Sequence, residues 1–157
     1  MAASQDVPIT PEGLAEVSRE LEHLVTVRRP DIVARIKAAR EHGDLSENFE
    51  YHSARNEQSF IETRILELEA IVKNHVLIEG ARTADRVELA SKVTLIEEGG
   101  PEETYRIVGP AEADPGAGRV SYASAMGKAL LGHRVGEEVD VHTPTGASYT
   151  VRIVSIE

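Results

Sequence analysis

Apolar residues recur along the first half of the chain with the rhythm of a helical seam. Leu14, Val17, Leu21 and Leu24 are spaced 3, 4 and 3 apart, and the apolar face resumes at Ile32, Ile36 and Ala39. Further on, Ile61, Ile65, Leu68 and Val72 are spaced 4, 3 and 4. A 3-4 repeat places its apolar residues in one narrow stripe, and that stripe needs a second stripe to bury it. Between the two runs stands His42-Gly43-Asp44-Leu45-Ser46-Glu47-Asn48-Phe49-Glu50-Tyr51. Gly43 is suited to ending a helix in the left-handed conformation, and Asp44 to beginning the next. The segment therefore reads as the tight turn of a long antiparallel αα-hairpin. Thr10 is the expected N-cap of the outgoing helix, with Pro11 at its first position. Pro30 cannot donate to the carbonyl four residues back, so a kink or break is expected near Val27–Arg29. The return helix is expected from Leu45 to His75. Its seam continues toward the turn through Gln58, Ala54, Tyr51 and Glu47, becoming progressively polar. About thirty residues at a rise of about 1.5 Å make a rod roughly 45 Å long.

The pattern changes near Gly80. Val87–Leu89, Lys92–Ile96, Tyr105–Val108, Arg119–Tyr122, Glu138–Val141 and Tyr149–Val154 read as strands separated by Gly/Pro turns, and Ser124–Leu131 reads as one short helix closed by Gly132. The expected fold class is α+β. An N-terminal coiled-coil domain over 1–79, with its acidic tip at 42–51, precedes an antiparallel sheet with one helix over 80–157.

Composition narrows the partners. The net charge is −10, with 9 Lys/Arg against 15 Asp/Glu in residues 1–80 and 8 against 12 in residues 81–157. Such a chain gains nothing from counterion release, so binding to free nucleic acid is excluded as its main business. Cysteine is absent, no N-terminal run reads as a signal peptide, and no stretch approaches a membrane span. A cytoplasmic, monomeric protein is expected.

Asp44 and Glu47 lie three residues apart at a helix start, which is the capping-box arrangement, and they sit at the positive end of the helix dipole. The same pair, with little around it, is also a set of hard oxygen donors. Mg²⁺ takes one or two protein carboxylates and leaves its other positions to water and phosphate, so the tip, though its spacing favours a cap, can also be read as half of a metal site completed by another enzyme. His42 and His52 bracket the acids but are awkwardly placed for one tetrahedral zinc site. Arg40 and Arg55 either meet phosphate near the tip or pair with Glu41 and Glu57. Tyr51 either packs in the seam or stacks on a base. No nucleophile with its base, P-loop or dinucleotide fingerprint is present, so independent catalysis has no visible apparatus.

Thr10-Pro11-Glu12-Gly13-Leu14, Val27-Arg28-Arg29-Pro30-Asp31-Ile32, the run Ala39–Asn48, Glu50-Tyr51-His52, Tyr105–Asp114 and Ala129-Leu130-Leu131-Gly132 together resemble the bacterial transcript-cleavage factors of the GreA/GreB family, over nearly the whole chain. The resemblance implies a coiled coil followed by an FKBP-like domain that docks on the rim of the secondary channel of bacterial RNA polymerase. It implies that Asp44 and Glu47 help hold a shared Mg²⁺ while the polymerase active site, not this chain, cuts the 3′ end of backtracked RNA. Nucleic acid is then met only inside the polymerase complex. Ser46 and Asn48 match tip positions near the RNA end, Arg40, Arg55 and Tyr51 are further candidate tip contacts, and Ser124 and Met126 fall in the docking segment. Two departures stand out: Ala123-Ser124-Ala125 where the family commonly has Asp-Ser-Pro, and Phe49 where a small residue is usual. Rival readings are a channel-plugging inhibitor from the same family, an FKBP-like folding helper, and a purely structural coiled-coil adaptor.

Overall fold

The computed structural model describes residues 5–43, 47–80 and 83–157. The chain divides into two compact units, Leu14–Asn74 on one side and Met1–Gly13 with His75–Glu157 on the other. The expected boundary at 79/80 thus falls at Asn74/His75, and the first residues belong with the β unit rather than with the rod. The reason is a two-stranded parallel pair that the periodicity did not reveal. β1 (Val7–Ile9) lies beside β2 (His75–Leu77), with Val7 opposite His75 and Ile9 opposite Leu77.

The helical unit begins on α1 (Pro11–His23) and continues without a break through a π-helical turn, Leu24–Arg28, into α2 (Arg29–Arg40). The expected disturbance at Pro30 takes the form of this π turn. The Arg29 N–H donates to the Leu24 carbonyl five residues back, while the backbone stays right-handed on both sides. A wider turn moves the preceding carbonyls away from the Pro30 ring, which would collide with one of them in a regular α-helix. It also accounts for the spacing of the seam. Leu24 and Ile32 are eight residues apart where a heptad allows seven, and a π turn absorbs one extra residue. Leu24 on one side of it and Ile32, Ile36 and Ala39 on the other are all buried.

The return helix α3 (Phe49–Asn74) buries Ala54, Ile61, Ile65 and Leu68, the seam read from the sequence. It starts four residues later than expected. Ion pairs link the outgoing and return arms along their exposed flanks. Arg29 grips Glu62 through Nε and a terminal nitrogen, both at 2.8 Å. Arg64 holds Glu20 at 2.8 and 3.0 Å, and Glu57 takes both Arg35 at 2.6 Å and Arg28 at 3.0 Å.

The β unit contains a five-stranded sheet in the order β5-β4-β3-β7-β6, made of β3 (Lys92–Glu97), β4 (Glu102–Val108), β5 (Arg119–Ser121), β6 (Glu138–His142) and β7 (Ser148–Ile156). The expected antiparallel sheet is in fact mixed, because β5 runs parallel to β4 with Ile107 opposite Val120. The ten residues that carry the chain back to the start of β5 include two short 3₁₀ turns. Val87–Leu89 is not a strand; only Arg86 makes an isolated bridge, to Arg134. The helix expected at Ser124–Leu131 is α4 (Ala125–Leu130), and Leu130 is fully buried in the core with Val93, Ile107, Val141 and Ile153.

The segment leading into α1 is fastened to this unit by one buried carboxylate. Glu112 accepts from the Thr10 N–H at 2.5 Å and from the Thr10 hydroxyl. Thr10 Oγ1 in turn accepts from the Gly13 N–H at 3.1 Å, the cap expected of it. A Cβ on Gly109 would stand 1.8 Å from the Pro8 carbonyl oxygen, so only glycine lets the two backbones approach this closely.

The arm-to-arm ion pairs carry a pH signature. Hydrogen bonds from Arg35, Arg29 and Arg64 hold the carboxyls of Glu57, Glu62 and Glu20 below the ordinary glutamate value of 4.5. A carboxyl whose folded pKa is depressed stabilises the fold above its unfolded pKa and loses that contribution as pH falls through the folded one. The helical unit is therefore expected to lose thermal stability as pH drops below about 4.5. Glu57→Gln should flatten that slope in circular-dichroism melts and shift the neutral-pH midpoint only slightly, because these pairs are solvent-exposed.

Candidate functional site at the hairpin tip

The turn closes α2 with a short helical overhang. The Glu41 and His42 N–H groups donate to the Ala38 and Ala39 carbonyls at 3.2 Å, and Gly43 takes φ +112°, in the left-handed region. Gly43 thus plays the part expected of it. The cap of α3 does not fall where it was expected. Asn48 Oδ1 accepts from the Tyr51 N–H at 3.0 Å, three residues on, which makes Asn48 the N-cap. The same side chain donates through Nδ2 to the Ala39 carbonyl at 2.6 Å. One amide therefore satisfies an orphan donor at the start of α3 and adds a second donor to the Ala39 carbonyl at the end of α2, tying the two helix ends together. A carboxylate lacks the donor for the second contact.

This placement corrects the capping-box reading of Glu47. Glu47 precedes the cap instead of sitting in the first turn, and it is exposed with no hydrogen bond or ion pair to another described residue. Asp44 and Ser46 lie outside the described residues. Among the described residues, Glu47 is thus a carboxylate that no side chain or backbone group engages. A hard carboxylate of this kind suits Mg²⁺, whose remaining positions fall to water and phosphate. Among the described residues, no group of three or more His, Cys, Asp or Glu converges as a metal cage.

Arg40 and Tyr51 are brought together, with the guanidinium carbon 5.7 Å from the ring centroid. The half-buried Tyr51 also meets the His52 ring edge-on at 5.5 Å. Arg40 and Arg55 line one flank of the tip with Lys37, Glu41 and Gln58. Arg55 reaches Gln58 at 3.4 Å, and Glu57 is engaged by Arg28 and Arg35, so the expected Arg55–Glu57 pairing does not form. The opposite flank is lined by His42, Phe49, Glu50 and Ser53.

In the β unit, Ser124 caps α4. Its hydroxyl accepts from the Gly127 N–H at 3.1 Å and donates to the Ser121 carbonyl at 2.6 Å. Met126 is half-buried against the core cluster, and the half-buried Tyr105, Tyr122 and Tyr149 rings pack against the same cluster.

The family model described as transcription elongation factor, N-terminal, matches residues 7–76, and that described as transcription elongation factor, GreA/GreB, C-term, matches residues 82–157. The chain is 50% identical over 159 residues to the transcription elongation factor GreA of Geobacillus kaustophilus, covering 100% of each chain. It is 48% identical over 157 residues to that of Bacillus subtilis, covering 99% of each. Among solved structures, the GreA factor homolog 1 (Gfh1) protein of Thermus thermophilus is 31% identical, with 98% of this chain and 99% of that chain covered and a TM-score of 0.45. The chain belongs to the GreA/GreB family of transcription elongation factors.

Asn48 is the residue that sequence reasoning undervalued as a fold element, although asparagine is among the strongest N-cap formers. Asn48→Ala is expected to lower the stability of the helical unit by about 1–2 kcal/mol in urea titrations. Asn48→Asp, which keeps the acceptor and loses the donor, should fall between it and the unsubstituted protein.

Proposed function

We propose that the protein inserts its α2–α3 hairpin into the secondary channel of bacterial RNA polymerase and stimulates the polymerase's own endonucleolytic cut of backtracked RNA 3′ ends, so that arrested complexes resume elongation. The observation that supports this reading best is the exposed Glu47 carboxylate at a tip whose capping is done by Asn48. A helix of 26 residues returns from that tip, about 39 Å at the usual rise, and this suits a carboxylate delivered deep within a partner.

Asp44 and Glu47 serve as ligands that the polymerase lacks, completing a Mg²⁺ site shared with polymerase carboxylates and the RNA. When bound there, that ion would supply a water of lowered pKa and offset charge on the cut phosphate. The chain's own contribution is positional. Asn48 ties the end of α2 to the start of α3, which fixes how the two arms meet behind the acids. Arg40, stacked on Tyr51, and Arg55 present cations on one flank, where the RNA backbone passes. Ser46 and Asn48 stand beside the RNA end. The β unit rests on the channel rim through the segment that carries Ser124 and Met126. No nucleophile is needed from the chain, so it acts as a monomeric factor and the polymerase is the enzyme.

A stalled, backtracked elongation complex tests this. The unsubstituted protein is expected to shorten the RNA from its 3′ end in the presence of Mg²⁺. The Asp44→Ala/Glu47→Ala double variant should bind polymerase and stimulate cleavage at least about tenfold less. Binding with no cleavage by the unsubstituted protein would instead identify a channel-plugging inhibitor.

A further inference from the structure

The flank of the tip opposite Arg40 and Arg55 holds a cleft of about 360 Å³ between α2 and α3. The seam itself opens it. Lower down the hairpin the buried positions are isoleucines, Ile32 and Ile36 on one arm and Ile61 and Ile65 on the other, but at the tip they are Ala39 and Ala54. Small side chains at the seam leave room that large ones would fill. Phe49, the first residue of α3, stands at this cleft with 83% of its surface exposed. The lining joins Ala38, Ala39 and Ala54 to the hydrogen-bonding side chains of Arg35, His42, Glu50 and Ser53.

An isolated exposed apolar residue needs no explanation. Here a bare aromatic face adjoins hydrogen-bonding groups around a space that one ring system can enter, and this combination narrows the occupant. An apolar side chain from a protein partner would cover the ring and the alanines but leave His42, Glu50 and Ser53 without partners. A phosphate would meet Glu50 in a chain of net charge −10, and Arg35 at the same cleft is already held by Glu57 at 2.6 Å. A nucleobase offers both an aromatic face to stack and an edge rich in donors and acceptors. We infer that Phe49, with His42 and Ser53, seats the nucleobase of the RNA 3′-terminal nucleotide. This rests on the proposed function, which brings the tip to that RNA end. The contact tolerates any base, since every base has a π-face, and it holds the fragment that cleavage releases.

Cleavage rates at subsaturating factor, in backtracked complexes carrying either an intact or an abasic 3′-terminal nucleotide, test the inference. On intact RNA, Phe49→Ala should cut about five- to tenfold more slowly and Phe49→Trp as fast as the unsubstituted protein. On abasic RNA the unsubstituted protein and Phe49→Ala should be equal. Thermal melts should match throughout, because the ring is exposed. Equal rates on intact RNA would overturn the inference. So would an equal loss on intact and abasic RNA, which would place the ring against polymerase protein. If the unsubstituted protein stimulates no cleavage of intact RNA, the functional reading itself falls and takes this inference with it.

Discussion

A helical hairpin is held together by a seam that must stay continuous, and this one carries a proline and one surplus residue on the outgoing arm. Eight residues separate Leu24 from Ile32, and without compensation every apolar residue beyond Pro30 would rotate by about 100° out of the stripe. The π turn at Leu24–Arg28 answers both difficulties. It removes the surplus residue from the count and makes room for the Pro30 ring, with the Arg29 N–H bonded to the Leu24 carbonyl. Ile32, Ile36 and Ala39 then return to the face that meets Ala54, Ile61, Ile65 and Leu68. The proline that looked like a fault in the rod is placed where the register has to be corrected.

Chemistry at the tip follows from the thinning of the seam. As buried residues shrink from isoleucine to alanine, apolar burial contributes less, and specific polar contacts take over: the Asn48 clamp between Ala39 and Tyr51, and the Arg40–Tyr51 stack. Because Asn48 closes both helix ends, Glu47 is not consumed in capping. The same thinning opens the cleft beside Phe49. At the opposite end of α1, the Glu112–Thr10 contacts anchor the first helical turn on the β unit.

Much of this was legible in the sequence because it depends on short-range periodicity. The seam, the Thr10 cap, the disturbance at Pro30, the left-handed Gly43 and five of the sheet strands all report local physics. The features that were missed depend on distant partners. Val7–Ile9 pairs with His75–Leu77 across more than sixty intervening residues, and a three-residue strand has no period to read. The parallel β4–β5 pairing hides behind a ten-residue connection that resembles any loop. At the tip, Asp44 and Asn48 are both good N-cap residues, and spacing alone favoured the first. Asn48 also bonds the Ala39 carbonyl at the end of α2, a contact that takes a donor that an amide has and a carboxylate lacks. The metal reading of Asp44 and Glu47 came from resemblance, since two acids three residues apart are as readily a cap as a ligand pair.

In the proposed function, the exposed Glu47 is lent to a shared metal site. The Mg²⁺ dependence of transcript cleavage, compared between the unsubstituted protein and Glu47→Gln in backtracked polymerase complexes, addresses this most directly. A ligand role predicts that Glu47→Gln moves the half-maximal Mg²⁺ concentration upward and that excess Mg²⁺ recovers much of the rate. An unchanged half-maximal concentration, whatever the change in maximal rate, would contradict it.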